Sequence, residues 1–518
     1  MKWRARVDPL RAVLLQHAGL LALLVVVWAA GLLGADFGHH WDEPLETDQL
    51  LAAVDRGALL PNRYNYPSVT YWLGLLTALP AFVQHSFWPA LRMQPENPQL
   101  LKDFLTSHGF LLAMRRCFIL LSSLTVAWTY LWVWTWQRRR GVAWLAAAFV
   151  GLSWEIAYHS RWIAPDMVMC QFAVLTLWCL EMARTHRDRR WLARAAIAAG
   201  LAAGSKYPGG ALLLPIALTA WIVAPTARAR TAAVASSAAI FFATFLLSTP
   251  GAVLEYRRFF ADVAFEYAHY HERGHGAYTI AAGWPHLRAA LEFLALSALS
   301  SRAWVAGALT ACAVLGALAT LRADRQRAVV LLAFPVFYLG YMSQQRVLIV
   351  RNLLVLIPFL GVFAAIGVQA VGAKLPQSGR RLAALGLAVL IAAQAGFLLW
   401  TGLSIAYPTP PADQARAWLL DHPNERTAAT AHAREALQAA GARLPPNVVP
   451  NDRPGELPVL FFAEEALDER YLNGTHGDFA LRVFGNGEVN YNFYPSWQGT
   501  DRLVMVDAAR GRDMHLPP

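Results

Sequence analysis

Five clusters of ionisable residues interrupt an otherwise apolar chain, and each suggests its own chemistry. "HHWDEP" puts Asp42 and Glu43 directly after the first long apolar run. A carboxylate held there can serve as general base or bind a cation. Helix capping, or solvation of a loop that also holds Glu46 and Asp48, explains the same residues. "YHSRWIAPDMVM" sets Arg161 and Asp166 between two apolar runs. Pro165 suits a first helical turn, where the helix dipole also favours the Asp166 carboxylate. In "GLAAGSKYPGG", Lys206 stands among glycines at the end of an apolar run. An ammonium there neutralises a phosphate or snorkels to the membrane surface. "SQQRVLIVRNLLVLIPFL" carries Arg346 and Arg351. The planar guanidinium fork bonds two phosphate oxygens at once, and it also anchors helix ends. "FEYAHYHERGHGAY" offers Glu266, His269, His271 and His275 as metal ligands, with a spacing that matches no zinc signature.

The elements that position these groups are membrane helices. Of 518 residues, 56% are hydrophobic and 15% charged, against about 25% charged in soluble domains. The apolar residues gather in runs of roughly 18 or more, the length that crosses a bilayer as a helix. Twenty Trp residues suit membrane interfaces. The net charge of +11 comes from basic loops and not from a stripe with interleaved aromatics, so nucleic acid is not an expected partner. Cys117, Cys170, Cys179 and Cys312 all fall in apolar runs, without zinc or disulfide spacing, and read as small core residues.

Charge asymmetry orients the chain. Lys2, Arg4, Arg6 and Arg11 precede a first span at about residues 12–34, which is too long for a signal-peptide core and predicts a cytoplasmic N-terminus. Arg138, Arg139 and Arg140 end the next span, about 110–136, on the same inner side. Residues 36–108 then form one long outer loop, in which the proline-interrupted stretch 66–89 reads as an interfacial helix. Further spans are expected at about 142–158, 166–183, 191–205, 209–224, 231–249, 303–321, 328–343, 352–372 and 383–404. The basic connections "RTHRDRR", "TARAR", "RADRQR" and "GAKLPQSGRR" all fall inside, which gives about eleven spans and an outer C-terminus. From Tyr407 the composition becomes that of a soluble domain. The expected architecture is therefore an all-α polytopic membrane domain over residues 1–406 and a small extracytoplasmic α/β domain over 407–518.

The acidic pair, "YPSVTYWL", "SRWIAPDMVM", "GLAAGSKYP" and "RNLLVLIPFL" occur in an order that resembles the bacterial protein O-mannosyltransferase and lipid A aminoarabinose-transferase group of the GT-C membrane glycosyltransferases. The resemblance spans roughly residues 12–370. It implies a polyprenyl-phosphate-linked sugar as donor, at the outer face of the bacterial inner membrane. Asp42 takes the position of the family's catalytic aspartate, with Glu43 beside it, and Asp166 that of its second acidic residue. Lys206 and Arg351 fall on the family's basic positions, with Arg161 or Arg346 assisting at the donor phosphate. In place of the Lys or His that relatives carry before the proline of the interfacial stretch, this chain reads Asn65, Tyr66, Pro67. The expected reaction is an inverting single displacement with Asp42 as base and a glycan, lipid or protein as acceptor. A divalent cation on Asp42, Glu43 and the histidines is the one cofactor left open. A lipid or sugar transporter is the alternative, but transporters usually carry internal repeats. Here no repeat is evident, and the ionisable residues gather at one face.

Overall fold

The structure, a computed structural model, describes residues 17–37, 43–84, 98–407, 410–441, 443–451, 457–462, 480–484 and 503–506. These form two compact units. One holds the described residues to Leu32 and from Glu43 to Leu399. The other holds Leu33–Phe37 and the described residues from Trp400 onward. Asp42 lies outside the described residues, as do His39 and His40.

The first unit is helical. It opens with α1 (Ala18–Leu33), α2 (Pro44–Arg56), α3 (Val69–Gln84) and α4 (Pro98–Leu105). A long α5 (His108–Gln137) follows, then α6 (Arg140–Gly151), the short α7 (Trp154–His159), α8 (Pro165–His186), α9 (Arg189–Ser205), α10 (Leu213–Val223) and α11 (Ala227–Ser248). After α12 (Gly251–Leu254), α13 (Tyr256–Ala268) and α14 (Trp284–Leu296), the series closes with α15 (Ala303–Ala323), α16 (Arg325–Ser343), α17 (Ile357–Lys374) and α18 (Gln377–Ala406).

Among the described residues, seven helical stretches are long and apolar enough to cross a membrane. They are α5, α8, α11, α15, α16, α18 and the continuous Val350–Lys374. Two of the expected spans fall short for a local reason. Ser153 caps α7 by accepting the Ile156 N–H, and so splits the expected span 142–158 into two short helices. Pro208 and two glycines similarly turn the chain into a 3-10 segment, Tyr207–Leu212, before α10.

The helices at the centre are α8 and α17, mostly buried. By contrast α11 and α18 are apolar and have few buried residues, as helices facing lipid do. α8 packs against α5 and α9, and α15 packs along α17. The α15–α17 approach depends on small residues: a Cβ on Gly316 would come within 1.9 Å of the Phe363 carbonyl oxygen.

The end of the bundle opposite the site described below is tied by ions. Asp324 caps α16 by accepting the Arg327 N–H, and it also accepts from Arg184. Arg327 grips Glu181 near the end of α8.

The second unit contains a five-stranded sheet: β1 (Thr427–Ala429), β2 (Val448–Pro450), β3 (Val459–Phe462), β4 (Ala480–Phe484) and β5 (Leu503–Val506), in the order β2-β1-β3-β5-β4. β1 runs parallel to β2 and β3, and β5 runs antiparallel to β3 and β4. Helices α19 (Pro411–Asp421) and α20 (Ala431–Ala439) bury Ala415, Leu419, Ala433 and Leu437 in the same core as Leu460 and Leu503.

Candidate active site

Helix ends deliver the candidate residues to one place. Ala164 is extended and Pro165 starts α8, which puts Asp166 in the first turn. Lys206 is the extended residue that ends α9. Arg351 and Asn352 belong to the 3-10 segment Val350–Leu356, which packs on α7 and α8. In each case a proline near the break, Pro165, Pro208 or Pro358, makes a regular helix start or stop there.

These ends close into a buried charge cluster. Lys206 Nζ donates to Asp166 Oδ1 at 2.5 Å and to Asn352 Oδ1 at 2.6 Å. Arg351 Nε lies 3.7 Å from Asp166 Oδ2. Tyr338 fixes the backbone beside them by donating its hydroxyl to the Asn352 carbonyl at 2.6 Å. All four polar side chains of the cluster are buried.

Arg161 is also buried, with a different environment. Its Nη2 donates to the Ala30 carbonyl at 3.3 Å, while its Nε and Nη1 have no hydrogen-bond partner among the described residues. Burial pulls its pKa down to about 10, so the guanidinium remains charged at neutral pH. A buried cation with unsatisfied N–H groups is costly unless an anion joins it.

Glu43 has a structural partner that the sequence did not announce. Arg115 on α5 donates Nε to Oε1 at 3.0 Å and Nη2 to Oε2 at 2.5 Å, and both side chains are buried. Oε1 also accepts the Ile163 N–H at 3.2 Å. Glu43 therefore braces the loop that carries Arg161 and Asp166.

A second pair, Glu155 and His159, lies on α7. His159 Nδ1 is 3.2 Å from Glu155 Oε2 and 2.9 Å from the Glu155 carbonyl oxygen. Both neighbours are acceptors, so Nδ1 carries the proton. Arg115 and Glu155 were legible as charges inside apolar runs, "LLAMRRCFIL" and "GLSWEIAY". Nothing in the sequence marked Asn352.

The other candidates stand apart from this cluster. Arg346 is exposed and donates to the Glu272 carbonyl at 2.8 Å, so it fastens the 269–280 loop and does not join Arg351. The set Glu266, His269, His271 and His275 is not gathered around a common point. Glu266 accepts from Asn65, His269 stacks on Phe265, and His271 stacks on Tyr267. Among the described residues no group of three or more His, Cys, Asp or Glu side chains is placed to hold a metal ion. The side chains on these helix ends point into the bundle because packing chooses their faces, whereas the loop histidines find aromatic neighbours first.

Residues 99–259 match the family described as dolichyl-phosphate-mannose-protein mannosyltransferase. No curated protein matches the chain significantly. Among solved structures, ArnT from Cupriavidus metallidurans bound to undecaprenyl phosphate is 15% identical, over 94% of this chain and 97% of its own, with a TM-score of 0.45. The same protein in the apo state is 14% identical, over 96% and 99%, with a TM-score of 0.44. The stretch 99–259 that is similar to the dolichyl-phosphate-mannose-protein mannosyltransferase family is the part of the chain that carries Arg115, Arg161, Asp166 and Lys206.

Proposed function

We propose that the chain transfers a hexose or pentose from a polyprenyl-phosphate-linked donor to a hydroxyl or amine acceptor at the outer face of a bacterial cytoplasmic membrane. The observation that carries this reading is Arg161, a buried guanidinium whose Nε and Nη1 have no hydrogen-bond partner among the described residues, five residues before the Asp166 of the Lys206–Arg351 cluster. That excess of buried N–H donors calls for a multivalent oxyanion, and a phosphate supplies one. Apolar helices beside it suit a polyprenyl tail.

In the reaction, the acceptor oxygen or nitrogen forms a bond to the anomeric carbon as the carbon–oxygen bond to phosphate breaks. The electron pair leaves on the phosphate, and Asp42 takes the acceptor's proton. Lys206, Arg351 and Arg161 stabilise the charge that develops on the leaving phosphate, more strongly in a dry pocket than in water. Asp166 holds Lys206 and Arg351 in place. Glu43 braces the loop and is already committed to Arg115.

The test is binding of undecaprenyl phosphate to the full chain in nanodiscs. Lys206→Ala and Arg161→Met are each expected to weaken it about 10-fold or more, the worth of one charge-assisted contact. Affinity unchanged in both variants removes the phosphate assignment.

A further inference from the structure

We propose that Tyr66 is the platform on which the donor sugar rests, and thus a residue that decides which sugar this chain accepts; this depends on the phosphate reading above. Lys206 Nζ lies over the face of the half-buried Tyr66 ring, 5.8 Å from its centroid. A phosphate bound at Lys206 carries the sugar on its own ester oxygen. The sugar ring then falls within about one ring's width of the Tyr66 face. The C–H bonds of a sugar's less hydroxylated face bear partial positive charge, and the π face of an aromatic ring is negative. Tyr66 brings no additional cation to the phosphate. What it adds beside Lys206 is a flat surface, which selects by the shape of the sugar.

The loop around Tyr66 is held by hydrogen bonds on both sides of it. Tyr64 donates its N–H to Asp262 Oδ2 at 2.7 Å and its hydroxyl to Glu255. Asn65 Nδ2 donates to Glu266 Oε1 at 2.6 Å, and the Tyr207 hydroxyl donates to the Tyr64 carbonyl at 2.7 Å. On the far side of Pro67, the Ser68 N–H donates to Thr249 Oγ1 at 3.2 Å. Burial, followed by the bond to Glu255, pushes the Tyr64 phenol well above its ordinary pKa, so it remains a donor. Three carboxylates on or beside α13 are therefore committed to the two residues that precede Tyr66. Fixing a contact residue before the ligand arrives removes the ordering cost from binding.

The experiment compares affinities of the full chain in nanodiscs for undecaprenyl phosphate and for its mannose, glucose, galactose and 4-amino-4-deoxyarabinose esters. The wild type is expected to prefer at least one sugar-bearing lipid over undecaprenyl phosphate. Tyr66→Ala is expected to reduce that preference about 5- to 10-fold, the scale of one aromatic stacking contact. It should leave the affinity for undecaprenyl phosphate unchanged, which also reports that the variant is folded. Tyr66→Phe is expected to keep the preference, because the ring and not the hydroxyl makes the contact. The proposal is overturned if Tyr66→Ala retains the preference, if it loses undecaprenyl phosphate to the same extent, or if the wild type prefers no sugar-bearing lipid. Failure of the phosphate reading looks different: undecaprenyl phosphate itself does not bind, or binds regardless of Lys206→Ala.

Discussion

Glu43 and Arg115 form a two-pronged ion pair closed to solvent, and the same carboxylate accepts the Ile163 N–H. One carboxylate thus joins the start of α2, the first third of α5 and the loop that carries Arg161 and Asp166. Arg115→Met leaves the Glu43 charge buried without its cation, which costs about 3–5 kcal/mol. The unfolding midpoint in detergent should fall clearly. The double variant Glu43→Gln with Arg115→Met should recover part of the loss, because no lone charge then remains. A double variant no more stable than Arg115→Met would show that the two residues do not act as a pair.

Asp42 and Glu43 are neighbours in sequence, and the proposed reaction gives them separate duties. Asp42→Asn is expected to lower transfer from a lipid-linked sugar by about 10²–10⁴-fold, the usual contribution of a general base. Binding of undecaprenyl phosphate should not change. Turnover retained in Asp42→Asn, measured as labelled sugar moved to product, rules out Asp42 as the base.

Arg161 should trade stability for function. Replacing a buried, under-bonded guanidinium with an apolar side chain of similar length is often stabilising, by about 1–4 kcal/mol. Arg161→Met should therefore raise the unfolding temperature of the ligand-free protein while it weakens undecaprenyl phosphate. A lower unfolding temperature would mean that Arg161 already has its anion in the ligand-free state.

Gly251 lies against the buried Tyr64 ring. A Cβ there would come within 1.9 Å of the Tyr64 hydroxyl oxygen, so Gly251→Ala must displace the ring that anchors the Tyr66 loop. Overpacking of this kind costs about 1–3 kcal/mol. The variant should unfold at lower temperature, and hydrogen exchange should rise in residues 62–68 before it rises in α8 or α17. Uniform exchange across these segments would show that the loop is not separately held.

The sequence by itself determined the class of the molecule and the helix ends at which its ionisable residues lie. Hydropathy is a local property that adds along the chain, so long apolar runs announce membrane helices without knowledge of their neighbours. Prolines and glycines mark helix ends in the same local way, Pro165 beside Asp166 and Gly204, Gly209 and Gly210 around Lys206. The number of spans was less legible, because Ser153 breaks one apolar run that hydropathy reads as continuous and the 3-10 segment Tyr207–Leu212 shortens another. Pairing was decided by the tertiary structure alone. Whether Glu43 is an available carboxylate or one bound to Arg115 depends on a residue 72 positions away. Lys206 meets Asn352 across 146 positions. Arg346 and Arg351, five residues apart, separate because the turn into Val350–Leu356 sends one toward the loop and the other into the bundle. A side chain's charge is written in its residue type. The partner that balances it is chosen by which helix faces pack together, and that choice is made only once the whole bundle closes.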